Sequence, residues 1–76
     1  MGRLSNISLR KFRGFLEYKG LKHIKTAGGH EKWIRADLNR PVMIQTHVDP
    51  VPEFIVRNCI KTIGSSAKEL IDYLGN

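Results

Sequence analysis

Cysteine is nearly absent. Cys59 stands alone among 76 residues, which excludes an intramolecular disulfide and a zinc site built on several thiolates. A chain with one thiol fits a reducing, cytoplasmic setting. Long hydrophobic runs are missing too: no stretch approaches the roughly 20 apolar residues of a membrane span, and the opening Met1-Gly2-Arg3-Leu4-Ser5 has no apolar core of a secretory signal. Asn6 stands where a myristoylation signal carries Ser or Thr, so no lipid anchor and no membrane partner are expected. Acidic residues are scarce, with seven Asp and Glu against thirteen Lys and Arg, a net charge of +6. On so small a body that excess favours a polyanionic partner such as nucleic acid. The length allows one domain, 1–76, with a thin core that buries roughly 60 to 65 per cent of the unfolded chain's surface.

The apolar pattern changes period twice along the chain. Leu9, Phe12, Phe15 and Leu16 fall on one face of a helix that Ser8 can cap, with Arg10, Lys11, Arg13 and Glu17 toward water. Gly14 costs that helix about 1 kcal/mol relative to Ala, and Gly20 stops it. Three strands are predicted next, over 21–27, 30–36 and 42–48, with 37–41 as a loop and Gly28-Gly29 as a two-residue hairpin turn. Asp49-Pro50-Val51-Pro52 ends the sheet, and Pro52 fits the first turn of a helix from Glu53 to about Ile63, packed through Phe54, Ile55, Val56, Cys59, Ile60 and Ile63. After Gly64, Ser65 or Ser66 caps a short last helix carrying Leu70, Ile71 and Leu74, with Glu69 placed for a capping box on Ser66. The fold class is therefore α+β: helix, three-stranded antiparallel meander, then two helices, all packed on one face of the sheet.

Register follows from the hairpin. A two-residue turn pairs Ala27 with His30, Lys25 with Lys32 and Ile24 with Trp33. Pairing Trp33 with Ile44 then extends a buried face through Val42 and sets His30 opposite His47. His23, Lys25, Lys32 and Gln45 fall on the other, uncovered face, which becomes basic and bears imidazole.

Chemistry is expected at the turn. Histidine, with an ordinary pKa of roughly 6.5, takes and gives protons near neutrality, and Gly28-Gly29 fixes His30 at the start of its strand. His30 is the candidate general base; a solvated surface histidine is the plain alternative. Lys25 and Lys32 can hold a phosphate or simply be a solvated polar face, and His47 is either an acid or a hydrogen-bonded structural histidine. Trp33 is read as core because Ile24 and Ile44 neighbour it. No carboxylate pair with metal-binding spacing lies on the proposed face, so neither metal nor cofactor is expected.

Leu16-Glu17-Tyr18-Lys19-Gly20-Leu21, then Gly28-Gly29-His30 with Trp33, Ile44 through His47, Pro52, and a helix ending Ile63-Gly64-Ser65 together resemble the HicA family of small mRNA interferase toxins, over nearly the whole chain. Gly29 stands where many members have serine, and Gln45-Thr46 where a proline is common. The resemblance implies a fold related to double-stranded-RNA-binding domains, with His30 as the catalytic base of a metal-independent endoribonuclease. It also implies mRNA as substrate, a HicB-type antitoxin over the basic face, Lys25 and Lys32 on the phosphate, and His47 as a possible acid for the leaving oxygen. Two other classes stay open: a non-catalytic RNA-binding module, and a DNA-binding protein in which 54–63, Gly64 and 66–74 form helix, turn and helix. Against the last, Ala67-Lys68-Glu69-Leu70-Ile71-Asp72 is acidic where a recognition helix meets phosphates.

Overall fold

The computed structural model describes residues 4–75; Met1-Gly2-Arg3, on which the expected absence of a secretory signal and of a lipid anchor in part rests, lie outside the described residues. Its elements run α1 (Leu9–Tyr18), β1 (Lys22–Ala27), β2 (His30–Ile34), β3 (Val42–Gln45), α2 (Glu53–Ile63) and α3 (Ala67–Gly75). The strands form one antiparallel sheet in the order β1-β2-β3. The architecture is α+β, as the change of period predicts.

Local chemistry sets the helix ends. Ser8 Oγ accepts the Lys11 N–H at 3.1 Å, and Asp49 Oδ1 accepts the Leu9 N–H at 3.0 Å, so two side chains satisfy the first turn of α1. At the other end Gly20, at φ +88°, lets the Gly20 and Leu21 N–H groups turn back onto Glu17 O and Leu16 O. Gly64 closes α2 in the left-handed region. Ser66 Oγ accepts the Glu69 N–H, but Glu69's carboxylate does not complete the capping box. It accepts from Ser65 and from Lys19 Nζ at 2.6 Å, tying α3 to the end of α1. Arg35 serves both helix ends beside β2, donating to Lys19 O at 2.6 Å and Ile63 O at 3.1 Å.

The core lies between the helices and one face of the sheet, where Phe12, Phe15, Leu16, Val56 and Leu70 meet Trp33, Val42 and Ile44, all at 2 % exposure or less. Each such side chain contributes about 1.5 to 3 kcal/mol on leaving water. Gly14 is explained by packing, since a Cβ there would stand 2.7 Å from the hydroxyl of Tyr73, whose ring packs on Phe15 and Tyr18. Phe54 departs from expectation. It is 64 % exposed, because it sits on the flank of α2 away from Val56, Ile60 and Ile63.

Register departs from expectation in two places. A bulge at Ile24 shifts β1 by one residue beyond Lys25, so His23, not Ile24, pairs with Trp33. Ile24 is left 51 % exposed. Between β2 and β3, Trp33 faces Val42 and Glu31 faces Ile44, two residues from the expected pairing, and β3 ends at Gln45. A two-residue shift leaves the buried set unchanged, which is why alternation alone did not choose between the registers.

Candidate functional site

Side chains along β2 alternate between two environments. Glu31 and Trp33 turn into the core, each 2 % exposed, whereas His30, Lys32 and Ile34 turn to the face that no helix covers. On that open face Lys25 stands across from Lys32, and His30 stands between Ala27 and Gln45. Lys22 and Met43 complete it at the rows of Ile34 and Lys32. Glu31 is the only acid in the three strands, and it points inward. The open face therefore carries cations without carboxylates.

Pairing elsewhere sharpens this asymmetry. Glu31, Asp37, Glu53, Glu69 and Asp72 are matched with Arg13, Arg35, Arg57, Lys19 and Lys68. Lys22, Lys25 and Lys32 enter no ion pair among the described residues. Their charge is thus available to an anion.

At the turn, Gly28 and Gly29 take φ of +59° and +80°, conformations that side chains rarely adopt. They bring Gly28 O to 3.2 Å from His30 Nδ1. A carbonyl only accepts, so this bond places the proton on Nδ1 and leaves Nε2 as the basic nitrogen of an exposed ring. His23 is held differently. Its Nε2 lies 3.1 Å from Lys25 O and 2.8 Å from Thr26 Oγ1, and its ring stacks on Trp33 at 5.3 Å. The bulge thus takes His23 out of the row of Lys25 and Lys32, correcting the expectation that it shares their face.

His47 is not opposite His30; Gln45 is. It lies in the turn after β3, with Cδ2 3.8 Å from where a Cβ on Gly29 would be, so the imidazole stands beside the same glycine turn. Lys25, Lys32, His30 and Gln45 share the open face as expected, with His47 beside the turn.

Beneath the face lies a cluster that the alternation pattern did not disclose. Arg13, expected to face water, instead binds Glu31 through Nε, at 3.0 and 3.1 Å to the two carboxylate oxygens, and through Nη2. Thr46 Oγ1 donates to Glu31 at 2.7 Å and accepts from Arg13 at 3.2 Å, and Trp33 Nε1 donates at 3.1 Å. The Arg13 guanidinium, with Thr46 and Trp33 helping, holds the Glu31 carboxyl down to about 2 against the opposing effect of burial. One signal was readable: an acid at the same strand parity as Trp33 must enter the core with a partner. Which cation supplies it was not readable, because Arg13 lies 18 residues away.

No family model, curated protein or solved structure matches the chain. The site must be read from its own geometry. Among the described residues no three His, Cys, Asp or Glu side chains gather closely enough to hold a metal ion. Cys59 is buried, and burial pushes its thiol up to about 12, far from a reactive thiolate. None of the described helices is long and apolar enough to cross a membrane.

Proposed function

We propose that the open face binds and cuts RNA, with His30 as general base, in a HicA-like toxin whose fold is of the double-stranded-RNA-binding-domain type. The observation that carries the reading is the His30–Gly28 contact, which leaves an exposed, basic Nε2 beside two opposed lysines and no carboxylate. RNA supplies the nucleophile itself. His30 Nε2 takes the proton of the 2′-hydroxyl, the 2′-oxygen attacks the adjoining phosphorus, and the bond to the 5′-oxygen breaks, giving a 2′,3′-cyclic phosphate. Lys25 and Lys32 stabilise the charge that grows on the phosphate oxygens, and Gln45 hydrogen-bonds beside them. The leaving oxygen takes a proton from His47, the imidazole beside the turn. No step requires a metal ion. In a toxin–antitoxin pair, a HicB-type antitoxin silences the protein by covering the basic face.

The test is His30→Ala, assayed with a labelled single-stranded RNA of mixed sequence in EDTA. Cleavage should fall roughly 10² to 10⁴-fold, while RNA affinity and thermal stability hold, because the exposed ring has little packing to lose. Expression of the parent chain alone should arrest growth, and the variant should relieve the arrest. A variant that cuts within a few-fold of the parent removes His30 from the mechanism. RNA binding without cleavage by the parent would make the face a binding module, and preference for duplex DNA would move the interface to α2 and α3.

A further inference from the structure

The sheet has two free edges, and they are not alike. Proteins ordinarily protect an edge from pairing with other chains by bulges and lysines. β1 has both, with its bulge at Ile24 and with Lys22 and Lys25 along its length. β3 has neither: Val42-Met43-Ile44-Gln45 carries no charge, pairs without a bulge and leaves Met43 45 % exposed. Thr46 N–H donates to Gly29 O at 2.8 Å, so by the two-residue period of a strand Ile44 and Val42 also turn toward β2. The N–H and C=O groups of Met43 and Gln45 therefore point away from the sheet.

A groove of about 520 Å³ runs beside this edge, between the start of β3 and α2. Consecutive residues Arg40 to Met43 line it, so the strand's edge forms one wall and not one of its faces. Ile55 and Cys59 supply apolar surface opposite, with Asn58 and Thr62 as polar points one helical turn apart. Phe54, exposed on α2 one turn before Asn58, extends the apolar surface along the same flank. Arg40 is exposed at the groove and enters no ion pair among the described residues.

We propose that the edge of β3 and its groove capture an extended acidic segment of a partner protein, which adds to the sheet as a fourth strand along Met43 and Gln45 and sets a carboxylate on Arg40. Backbone pairing gives such an addition its affinity, and pockets for alternate side chains give its specificity. Charge decides the occupant. A second copy would bring two chains of net charge +6 edge to edge, whereas an acidic strand meets an unpaired guanidinium. The edge adjoins the open face, toward which Met43 and Gln45 turn their side chains, but capture rests on their backbone groups and on the groove and does not depend on RNA cleavage.

The experiment selects eight-residue peptides from a display library against the full chain and measures the binders in solution. Selected peptides should alternate apolar and polar residues and carry Asp or Glu. N-methylation of alternate backbone amides should abolish binding in one phase and spare it in the other, and the Met43 and Gln45 amides should become protected from hydrogen exchange. Met43→Lys, at an exposed position where folding is not at stake, should weaken binding at least about tenfold by restoring the usual protection of an edge. Arg40→Glu should shift preference to Lys-bearing peptides. Failure to select any peptide, binding indifferent to N-methylation, or protection mapped to β1 or the open face would overturn the proposal. So would self-association of the free chain through β3 in sedimentation, since the edge would then be taken by a second copy.

Discussion

The two faces of β2 are built from neighbouring residues and do opposite work. On the covered side Glu31 accepts five hydrogen-bonding contacts, three from Arg13 and one each from Thr46 and Trp33, and is sealed from water; on the open side His30 and Lys32 turn toward solvent. A buried carboxylate is tolerable only when each of its oxygens finds a donor. An exposed base is useful only when nearby carboxylates do not compete for the cations beside it. Turning the one acid of the sheet inward meets both conditions. It pins β2 to α1 and to the end of β3, and it clears negative charge from the face where an anion would lie.

The sharpest way to break this division is Glu31→Gln. Removing the charge weakens the bonds from Arg13, whose partly exposed guanidinium can turn to water, so the loss should be about 2 to 3 kcal/mol, or roughly 10 to 20 °C in Tm. The residual folded protein should still bind RNA. If stability holds while RNA binding disappears, the two faces are not separate.

Acid provides a second route. The folded Glu31 carboxyl lies at about 2, against an ordinary value of 4.5. Its contribution is therefore complete above about pH 4.5 and is lost as pH falls toward 2, amounting to about 3 kcal/mol. Tm measured from pH 6 to 2 should fall more steeply for the parent than for Glu31→Gln. Asp37 and Glu69, also held below the usual range by Arg35 and Lys19, are common to both proteins and drop out of the difference. Parallel curves would show that Glu31 is not the group that titrates.

Smaller effects are expected on the open face, and they are read in binding. Lys25→Ala with Lys32→Ala should reduce the salt dependence of RNA affinity by about two phosphate contacts while Tm moves little. An unchanged slope would place RNA on another surface. His23→Ala should do the reverse on a smaller scale. It loses a stack on Trp33 worth about 0.5 to 1 kcal/mol and leaves the salt slope unchanged. A changed slope would return His23 to the binding face.

Much of this was legible in the chain itself. Helix positions follow from apolar spacing and from caps such as Ser8, Gly20, Gly64 and Ser66, whose partners lie within four residues. The Gly28-Gly29 turn fixes Ala27 against His30 and Lys25 against Lys32, because a two-residue hairpin leaves no freedom of register close to the turn. What lay beyond the reach of local rules was decided by tertiary structure. The bulge at Ile24 exchanges that residue for His23 against Trp33, and alternation has no term for one inserted residue. The β2–β3 register could slide by two positions without exposing an apolar group, so hydrophobic pattern was blind to it. Hydrogen bonding to the buried acid was equally blind, for the expected register sets Thr46 directly across from Glu31, whereas in the observed one Ile44 stands there and Thr46, diagonal to it, still shares the carboxylate with Arg13. Sequence alone determined which residues could form helices, strands and the histidine turn, since those choices rest on interactions a few residues long. Which cation answers the buried acid, which histidine leaves the open face and which edge of the sheet stays unguarded were settled only when distant segments met in space.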